Sequence, residues 1–299
     1  MYTGPIIDSH MHLWDLANGY AWLSDRDPNM ESLFGNYDKL RHNFLAPDYV
    51  ALIGGFNVVK SVHVHAFGFP GNPVGETEWL EQQATDYGFP QGIVAYANLA
   101  DPGVDEVLRR HCERANVRGL RMPLNYADEP WRRMTDRGDY MRDEQWRRGF
   151  ALLSRHGLAF DLQMYDHQTP DAVALAQDFP ETTIVVEHLA WPIDLSADGF
   201  KRWSERLISL AQCANVVLKV SGIGCIFRAE THLIPRYLKQ AIATFSPERC
   251  MFGSNCPPDT VFHDFAWLLK SYMYAISDCS PEQQRQFFYG TAERVYRLA

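Results

Sequence analysis

The sequence predicts an α/β protein that folds as a (β/α)8 barrel, also called a TIM barrel, with long loops after strands 1 and 4. Short runs of β-branched residues alternate with longer amphipathic segments along the chain, which is the pattern of repeated βα units. Eight such runs can be counted, and 299 residues suit one barrel of roughly 250 residues with enlarged loops. We therefore expect residues 1–299 to form a single barrel domain.

The predicted strands are short and apolar, as buried parallel strands usually are. In chain order they are Pro5–His12, Val59–His65, Gly92–Asn98, Val117–Pro123, Leu158–Tyr165, Thr183–His188, Asn215–Ser221 and Arg249–Asn255. The predicted helices carry apolar residues at three- and four-residue spacing. They are Glu76–Tyr87, Gly103–Arg114, Asp143–His156, Pro170–Asp178, Gly199–Cys213, Leu233–Phe245, Phe262–Ile276 and Pro281–Leu298. This order favours a closed barrel over an open doubly wound sheet.

Two connections between these elements are long. Leu13–Pro47 follows the first strand and Leu124–Arg142 follows the fourth, and both mix aromatic residues with Gly, Asn, Asp and Pro. Loops of this length in a compact domain are usually functional, and in barrels they stand over the catalytic mouth.

Composition restricts the class of partner. The net charge is −9 and no basic run is present, so nucleic acid is not expected as a partner. No apolar stretch is long enough to span a bilayer, and the first ten residues lack the features of a signal peptide. The six cysteines form no C-x-x-C pair and are expected to be reduced. We expect a cytoplasmic protein that binds a small molecule and no membrane; the oligomeric state is open, with a homodimer as one possibility.

His10 and His12 are the first candidates for a functional site. They lie two residues apart at the end of the first predicted strand, with Asp8 one step deeper on the same face. Two imidazoles at this spacing can chelate one metal ion. The C-terminal ends of barrel strands carry the catalytic residues, and the pair is therefore predicted to be functional.

The later strands also end in polar side chains that should converge at the mouth. They are His63 and His65, Arg121, Asp161 with Gln163 and Tyr165, His188, Lys219 with Ser221, and Asn255. A purely structural barrel interior would be dominated by Val, Ile and Leu. Arg121 is expected to be buried and must have a partner. A substrate anion is one candidate, and Asp8, Asp161 or Glu187 is the structural alternative.

Several segments together resemble one family. IIDSHMHLWD, RGLRMPL, FDLQMYDHQ, VVEHLAWP, NVVLKVSGIG, RCMFGSNCPPD and TAERVYRL are similar, in this order, to motifs of amidohydrolase-related barrel proteins. The branch in question includes sugar lactonases and 2-pyrone-4,6-dicarboxylate lactonase. The resemblance covers nearly the whole chain. It implies a metal-dependent hydrolase in which His10, His12 and His188 hold zinc or another divalent ion.

One position departs from the family pattern. The resemblance places a catalytic Asp at the end of strand eight, where this chain has Asn255. An amide is a weak metal ligand and cannot act as a general base. Metal-independent activity is therefore a second possibility, and the base must be another group. The candidates are His65, Glu187, Asp259, Asp8 and a metal-bound water.

The leading hypothesis is a hydrolase that opens the cyclic ester of a ring-containing small molecule, as a lactonase does. Catalysis is assigned to His10, His12, Arg121, His188 and Asn255, and substrate binding to His65, Gln163, Tyr165, Ser221, Trp14 and Trp191. A lactone isomerase, decarboxylase or hydratase is the alternative enzyme, and a binding protein that has lost catalysis is a further alternative. The many loop aromatics predict a substrate more apolar than an aldonolactone, such as an intermediate of aromatic or terpenoid breakdown.

Overall fold

The structure, a computed structural model, describes residues 1–298. Eight parallel strands form one sheet in the order β1 to β8. Their bounds are β1 Ile6–Met11, β2 Val58–Val64, β3 Gly92–Ala95, β4 Val117–Arg121, β5 Ala159–Leu162, β6 Ile184–Val186, β7 Val216–Val220 and β8 Cys250–Phe252. Every neighbouring pair is parallel. All eight predicted strands are therefore present.

The sheet closes on itself between its first and last strands. The His12 amide donates to the Cys256 carbonyl at 2.8 Å, and the Asn255 amide donates to the His10 carbonyl at 2.7 Å. A parallel bridge between Met11 and Cys256 continues this contact. The predicted (β/α)8 barrel is confirmed.

Helices follow and surround the strands. Their bounds are α1 Ala21–Ser24, α2 Pro28–Phe34, α3 Ala46–Ile53, α4 Gly75–Tyr87, α5 Val104–Cys112, α6 Glu144–Phe150, α7 Leu152–Arg155, α8 Thr169–Asp178, α9 Ala197–Ala211, α10 Ile223–Phe227, α11 Ile234–Phe245, α12 Phe265–Ala275, α13 Pro281–Arg285 and α14 Thr291–Tyr296. A π-helical turn over Gln286–Gly290 joins the last two. In residues 1–298, no helix is long and apolar enough to cross a membrane.

The stretch after β1 differs from its prediction as a plain loop. It contains α1, α2 and the start of α3. α2 begins with the Asp27 side chain accepting from the Asn29 amide and with Pro28 in its first turn, which is a common way to start a helix. Met30, Leu33 and Phe34 then share one face of this helix.

The barrel interior has an apolar floor below a polar layer. The floor includes Ile7, Val94, Val185 and Met251, which pack on Tyr296 from the last helix. Each side chain of this size stabilises the fold by roughly 1.5–3 kcal/mol when buried. In β5, β6 and β7 the next inward positions toward the C-terminal ends carry Asp161, Glu187 and Lys219. In β1 a register shift between Asp8 and Met11 interrupts this alternation.

Candidate active site

The His10 and His12 rings meet edge to edge at the end of β1. Their Nε2 atoms are 3.2 Å apart. The Nδ1 atom of His12 lies 2.7 Å from the Val64 carbonyl oxygen, which can only accept, so this nitrogen carries the proton. The Nδ1 atom of His10 lies 3.1 Å from Glu187 Oε1, and a carboxylate at this position favours a proton on that nitrogen. Both Nε2 lone pairs therefore face the same small space.

His188 reaches the same space from the end of β6. Four consecutive residues, His188 to Trp191, have left-handed φ angles between 36° and 58°, which is uncommon for residues other than glycine. This turn aims the His188 ring at His10, with 4.6 Å between ring centroids. Ser221 Oγ lies 2.9 Å from His188 Nδ1, so Nε2 is left for another ligand.

The three imidazoles are neutral near pH 7. Burial lowers the pKa of His10 and His12 well below its usual value, and it lowers the pKa of His188 to about 4. Neutral imidazole is the form that binds a metal. Two nitrogens bound to one tetrahedral zinc are about 3.3 Å apart, which matches the 3.2 Å between the Nε2 atoms of His10 and His12.

The Glu187 carboxylate adds a fourth donor beside these histidines. Single donor atoms of His10, Glu187 and His188 lie within 4.8 Å of one another. Burial by itself raises the pKa of Glu187, but the interaction with His10 and the charges of Arg121 and Lys219 outweigh burial and hold this pKa well below its usual range. The donor set of imidazoles and one carboxylate fits a divalent metal such as zinc.

Arg121 is held against Glu187 as well. Its Nη1 lies 2.9 Å from Gln163 Oε1 and 3.4 Å from Glu187 Oε2, and its Nη2 donates to the His65 carbonyl. Of the protein carboxylates predicted as structural partners of Arg121, the one that it contacts is therefore Glu187. A guanidinium has five N–H donors, and the buried Nε–H of Arg121 has no acceptor in the protein.

A buried ion pair supports Glu187 from below. Lys219 donates to Asp161 Oδ2, and its Nζ lies 3.7 Å from Glu187 Oε1. The Tyr296 hydroxyl also donates to the Asp161 carboxylate, at 2.8 Å. Burial raises the pKa of Asp161 to about 6. Lys219 therefore lies between two carboxylates and offsets the charge of Glu187 in the barrel interior.

Asn255 is tied to a neighbouring carboxylate. Its φ of 52° is left-handed, and its Nδ2 donates to Asp259 Oδ1 at 2.8 Å. Asp259 also accepts from the Gly224 amide at 2.9 Å and from the Cys225 amide at 3.1 Å. The amide oxygen of Asn255 is thus the atom left to face the cavity.

Three of the predicted base candidates are committed elsewhere. Asp8 accepts from the Ser254 amide at 2.8 Å, the Ser254 hydroxyl at 2.6 Å and the Tyr49 hydroxyl at 3.0 Å. Asp259 is fully buried behind Asn255. His65 Nε2 faces Glu76 Oε2 at 3.3 Å. Glu187 is the ionised carboxylate in contact with the histidine cluster.

A cavity of about 70 Å³ lies above the cluster. The predicted polar residues in its wall are His12, Arg121, Gln163, His188 and Asn255, and the predicted aromatic ones are Trp14 and Trp191. Met30 and Phe34 of α2, together with Trp22, cover it. The loop after the first strand was expected to stand over the mouth, but α2 was not predicted, although its start signal and the spacing of its apolar residues could have revealed it.

Four predicted site residues stand outside this cavity wall. His10 is fully buried behind His12. His65 lines a neighbouring cavity. Tyr165 packs its ring against Trp191 at 6.2 Å and donates its hydroxyl to the Arg132 carbonyl, and Ser221 contacts His188. Tyr165 and Ser221 thus each contact a residue of the wall, and their assignment to substrate binding stays a prediction.

Two sequence relatives match almost the whole chain. Protein y4mH of Sinorhizobium fredii is 36% identical over 295 residues, covering 98% of each chain. L-fucono-1,5-lactonase of Burkholderia multivorans is 25% identical over 307 residues, covering 98% of this chain and 96% of the lactonase.

Solved structures share the fold. An amidohydrolase from Burkholderia multivorans with bound zinc has a TM-score of 0.81 at 24% identity, covering 99% of this chain and 100% of the other. A structure from Pseudomonas putida, assigned to 2-pyrone-4,6-dicarboxylic acid hydrolase, has a TM-score of 0.72 at 20% identity, covering 100% of this chain and 99% of the other. The amidohydrolase family model matches residues 7–298. The chain therefore belongs to the amidohydrolase family, as its motifs predicted.

Proposed function

We propose that this protein is a lactonase that hydrolyses a neutral, ring-containing cyclic ester. The observation that carries the proposal is the cluster of three neutral imidazoles, Glu187 and Arg121 at the base of an apolar cavity. The name of the Burkholderia relative, L-fucono-1,5-lactonase, supports the class of bond.

His10, His12 and His188 are the proposed metal ligands, and the Glu187 carboxylate lies beside them, 3.1 Å from His10 Nδ1. The match between the 3.2 Å Nε2 separation and tetrahedral geometry supports zinc, as does the bound zinc of the Burkholderia structure. When bound, a divalent ion polarises the ester carbonyl and lowers the pKa of water.

The side chains around this cluster bind and orient the reactants. The free N–H of Arg121 is proposed to donate to the ester oxygen as negative charge develops on it. The Asn255 Oδ1 atom can accept a hydrogen bond from water and so orient it, but it cannot accept the proton. We assign that proton to the Glu187 carboxylate, because Asp8, Asp259 and His65 are held by other groups.

The cavity favours a neutral substrate. The charge of Arg121 is offset by Glu187, and among residues 1–298 no other Lys or Arg lines the cavity. Away from the proposed metal, a carboxylate on the substrate would therefore lose its hydration without gaining an unpaired cation. The walls are instead apolar, with Trp22, Phe34 and Trp191 among them, which suits an apolar ring.

The proposal is tested with a panel of neutral and carboxylated lactones in water labelled with heavy oxygen. We expect the neutral, apolar lactones to be opened, with one labelled oxygen in each product acid. The metal content of the purified protein is measured in parallel. The matched control is Glu187→Gln, which keeps the shape but removes the proton acceptor. Turnover without incorporation of label would instead favour an isomerase or decarboxylase, and no turnover with any lactone would contradict the proposal.

The setting of the reaction is a further part of this proposal. The six cysteines are all free, which is typical of proteins in a reducing compartment. We propose that residues 1–299 act as one domain in the cytoplasm on a small molecule, and that the protein needs no nucleic acid.

A further inference from the structure

A second cavity lies beside the first at the barrel mouth. Its volume is about 530 Å³, and it is open to solvent. Phe67 and Met134 line both cavities. The two spaces are therefore separated by the thickness of these two side chains.

Phe67 is held as the divider by its loop. Its φ is 70°, a left-handed value for a residue with a large side chain. Its ring lies 4.9 Å from the His65 ring and 5.6 Å from the Arg121 guanidinium carbon. Yet 38% of Phe67 is exposed. Gly68 follows it, and a Cβ there would lie 2.4 Å from the Tyr20 ring, so the close packing of this loop fixes its course.

The second cavity has mainly apolar walls. Phe69, Tyr96, Met122 and Pro123 line it. The buried polar groups in its wall, His65 and Glu76, face each other. Glu76 Oε1 also accepts from the Ala66 amide at 2.8 Å. Rings and methylene groups on this surface suit an alkyl or aryl group rather than an ion.

We propose that the second cavity binds an apolar substituent of the same lactone whose ring lies in the first cavity, and that Phe67 determines which substituents pass between them. The inference that one ligand occupies both cavities depends on their shared wall, because a group bound on one side of Phe67 and Met134 lies next to a group on the other side. The inference rests on the proposed lactonase activity and names the class of its substrate: a lactone with an alkyl or aryl side chain.

The first test compares δ-lactones that carry a methyl or a hexyl side chain. Thr135 lines only the second of these two cavities, so Thr135→Trp fills that cavity and Thr135→Val is the matched control. We expect the ratio of kcat/KM for the hexyl over the methyl lactone to fall at least about tenfold in Thr135→Trp and to stay within about twofold in Thr135→Val. Phe67→Ala should raise kcat/KM for a cyclohexyl relative to a hexyl lactone. Unchanged ratios in Thr135→Trp and Phe67→Ala would overturn the inference.

The second test does not depend on hydrolysis. δ-Lactams with the same side chains serve as inert probes, and binding is measured as a shift in Tm. The shift should grow from the methyl to the hexyl lactam, and Thr135→Trp should remove that difference. If no lactone is opened but this dependence remains, the proposed activity fails and the second binding site stands. A shift that ignores both the side chain and the substitution would overturn the second site.

Discussion

Asn255→Asp restores the carboxylate that the family pattern places at the end of strand eight, but it does so beside Asp259. The replaced Nδ2 lies 2.8 Å from Asp259 Oδ1, and both residues are buried, with exposed fractions of 4% and 0%. The substitution therefore exchanges a hydrogen bond for two facing carboxylates. Two charges cannot both persist at this distance without a large penalty.

The size of the penalty follows from the distance. At 2.8 Å and an effective dielectric constant of about 20, two like charges repel by about 6 kcal/mol, which raises one pKa by about four units to near 8. In the unfolded chain both carboxyls ionise near pH 4. The folded variant holds one extra proton between these values, so its stability falls as pH rises through this window. The loss is about 1.4 kcal/mol per pH unit, or about 4 kcal/mol from pH 5 to pH 8.

Urea unfolding of the wild type and Asn255→Asp at pH 5 and pH 8 measures this loss. Asn255→Ala is the control, because it removes the hydrogen bond without adding a charge. The exchange Asn255→Asp with Asp259→Asn returns the pair to one carboxylate, so the added pH dependence should disappear. The exchange should still cost about 1–3 kcal/mol at both pH values, because Gly224 and Cys225 both donate to position 259. If Asn255→Asp shows the pH dependence of the wild type, the reasoning is refuted.

Three further predictions concern the site and its surroundings. His188→Ala should lower kcat/KM at least about 10³-fold and reduce bound metal while the circular dichroism stays native. Ser221→Ala should lower kcat/KM only about tenfold, because Ser221 orients the His188 ring without binding the metal. Equal losses in the two variants would contradict these roles. Arg121→Lys should lower kcat/KM roughly 10²–10³-fold. Arg121→Met should also lower the free energy of unfolding by about 3–5 kcal/mol, because Glu187 then loses a charged partner. An unchanged urea midpoint in Arg121→Met would count against the ion pair. Burial raises the pKa of Glu76 from 4.5 to about 7. The wild type should therefore lose on the order of 3 kcal/mol of stability relative to Glu76→Gln as pH rises from 4 to 8. A difference in stability between the two proteins that does not change with pH would contradict the raised pKa.

The barrel could be predicted because its signals are local and repeated. Each strand is a short apolar run, and the helical connections are long enough for the crossovers that parallel neighbours require. The strand ends were predicted too far along the chain in most cases. The sixth strand, for example, was predicted to continue to His188, whereas β6 ends at Val186. The left-handed turn from His188 onward depends on tertiary packing, which periodicity does not report.

The site could be predicted in part. The expectation that strand ends carry the catalytic side chains identified His12, Arg121 and His188. Strand alternation accounts for Arg121, whereas the orientations of His12 and His188 depend on the register shift in β1 and on the left-handed turn after β6. The pairing of Arg121 with Glu187 rather than with a substrate anion could not be decided, since Glu187 follows β6 and its orientation depends on the turn there. The division of the mouth by Phe67 likewise depends on a positive φ in a loop, which the sequence does not reveal.

The buried carboxylates explain how Asn255 can occupy the end of strand eight. Asp259 lies one helical turn later and is bound by two backbone amides at the start of α10. A third donor on its carboxylate favours the charged form, and the Asn255 amide supplies that donor. An aspartate at position 255 would oppose this charge. The carboxylate nearest to Asn255 is thus that of Asp259, which accepts from the amides at the start of α10. Glu187 remains as the carboxylate beside the histidines, and Arg121 and Lys219 keep it ionised.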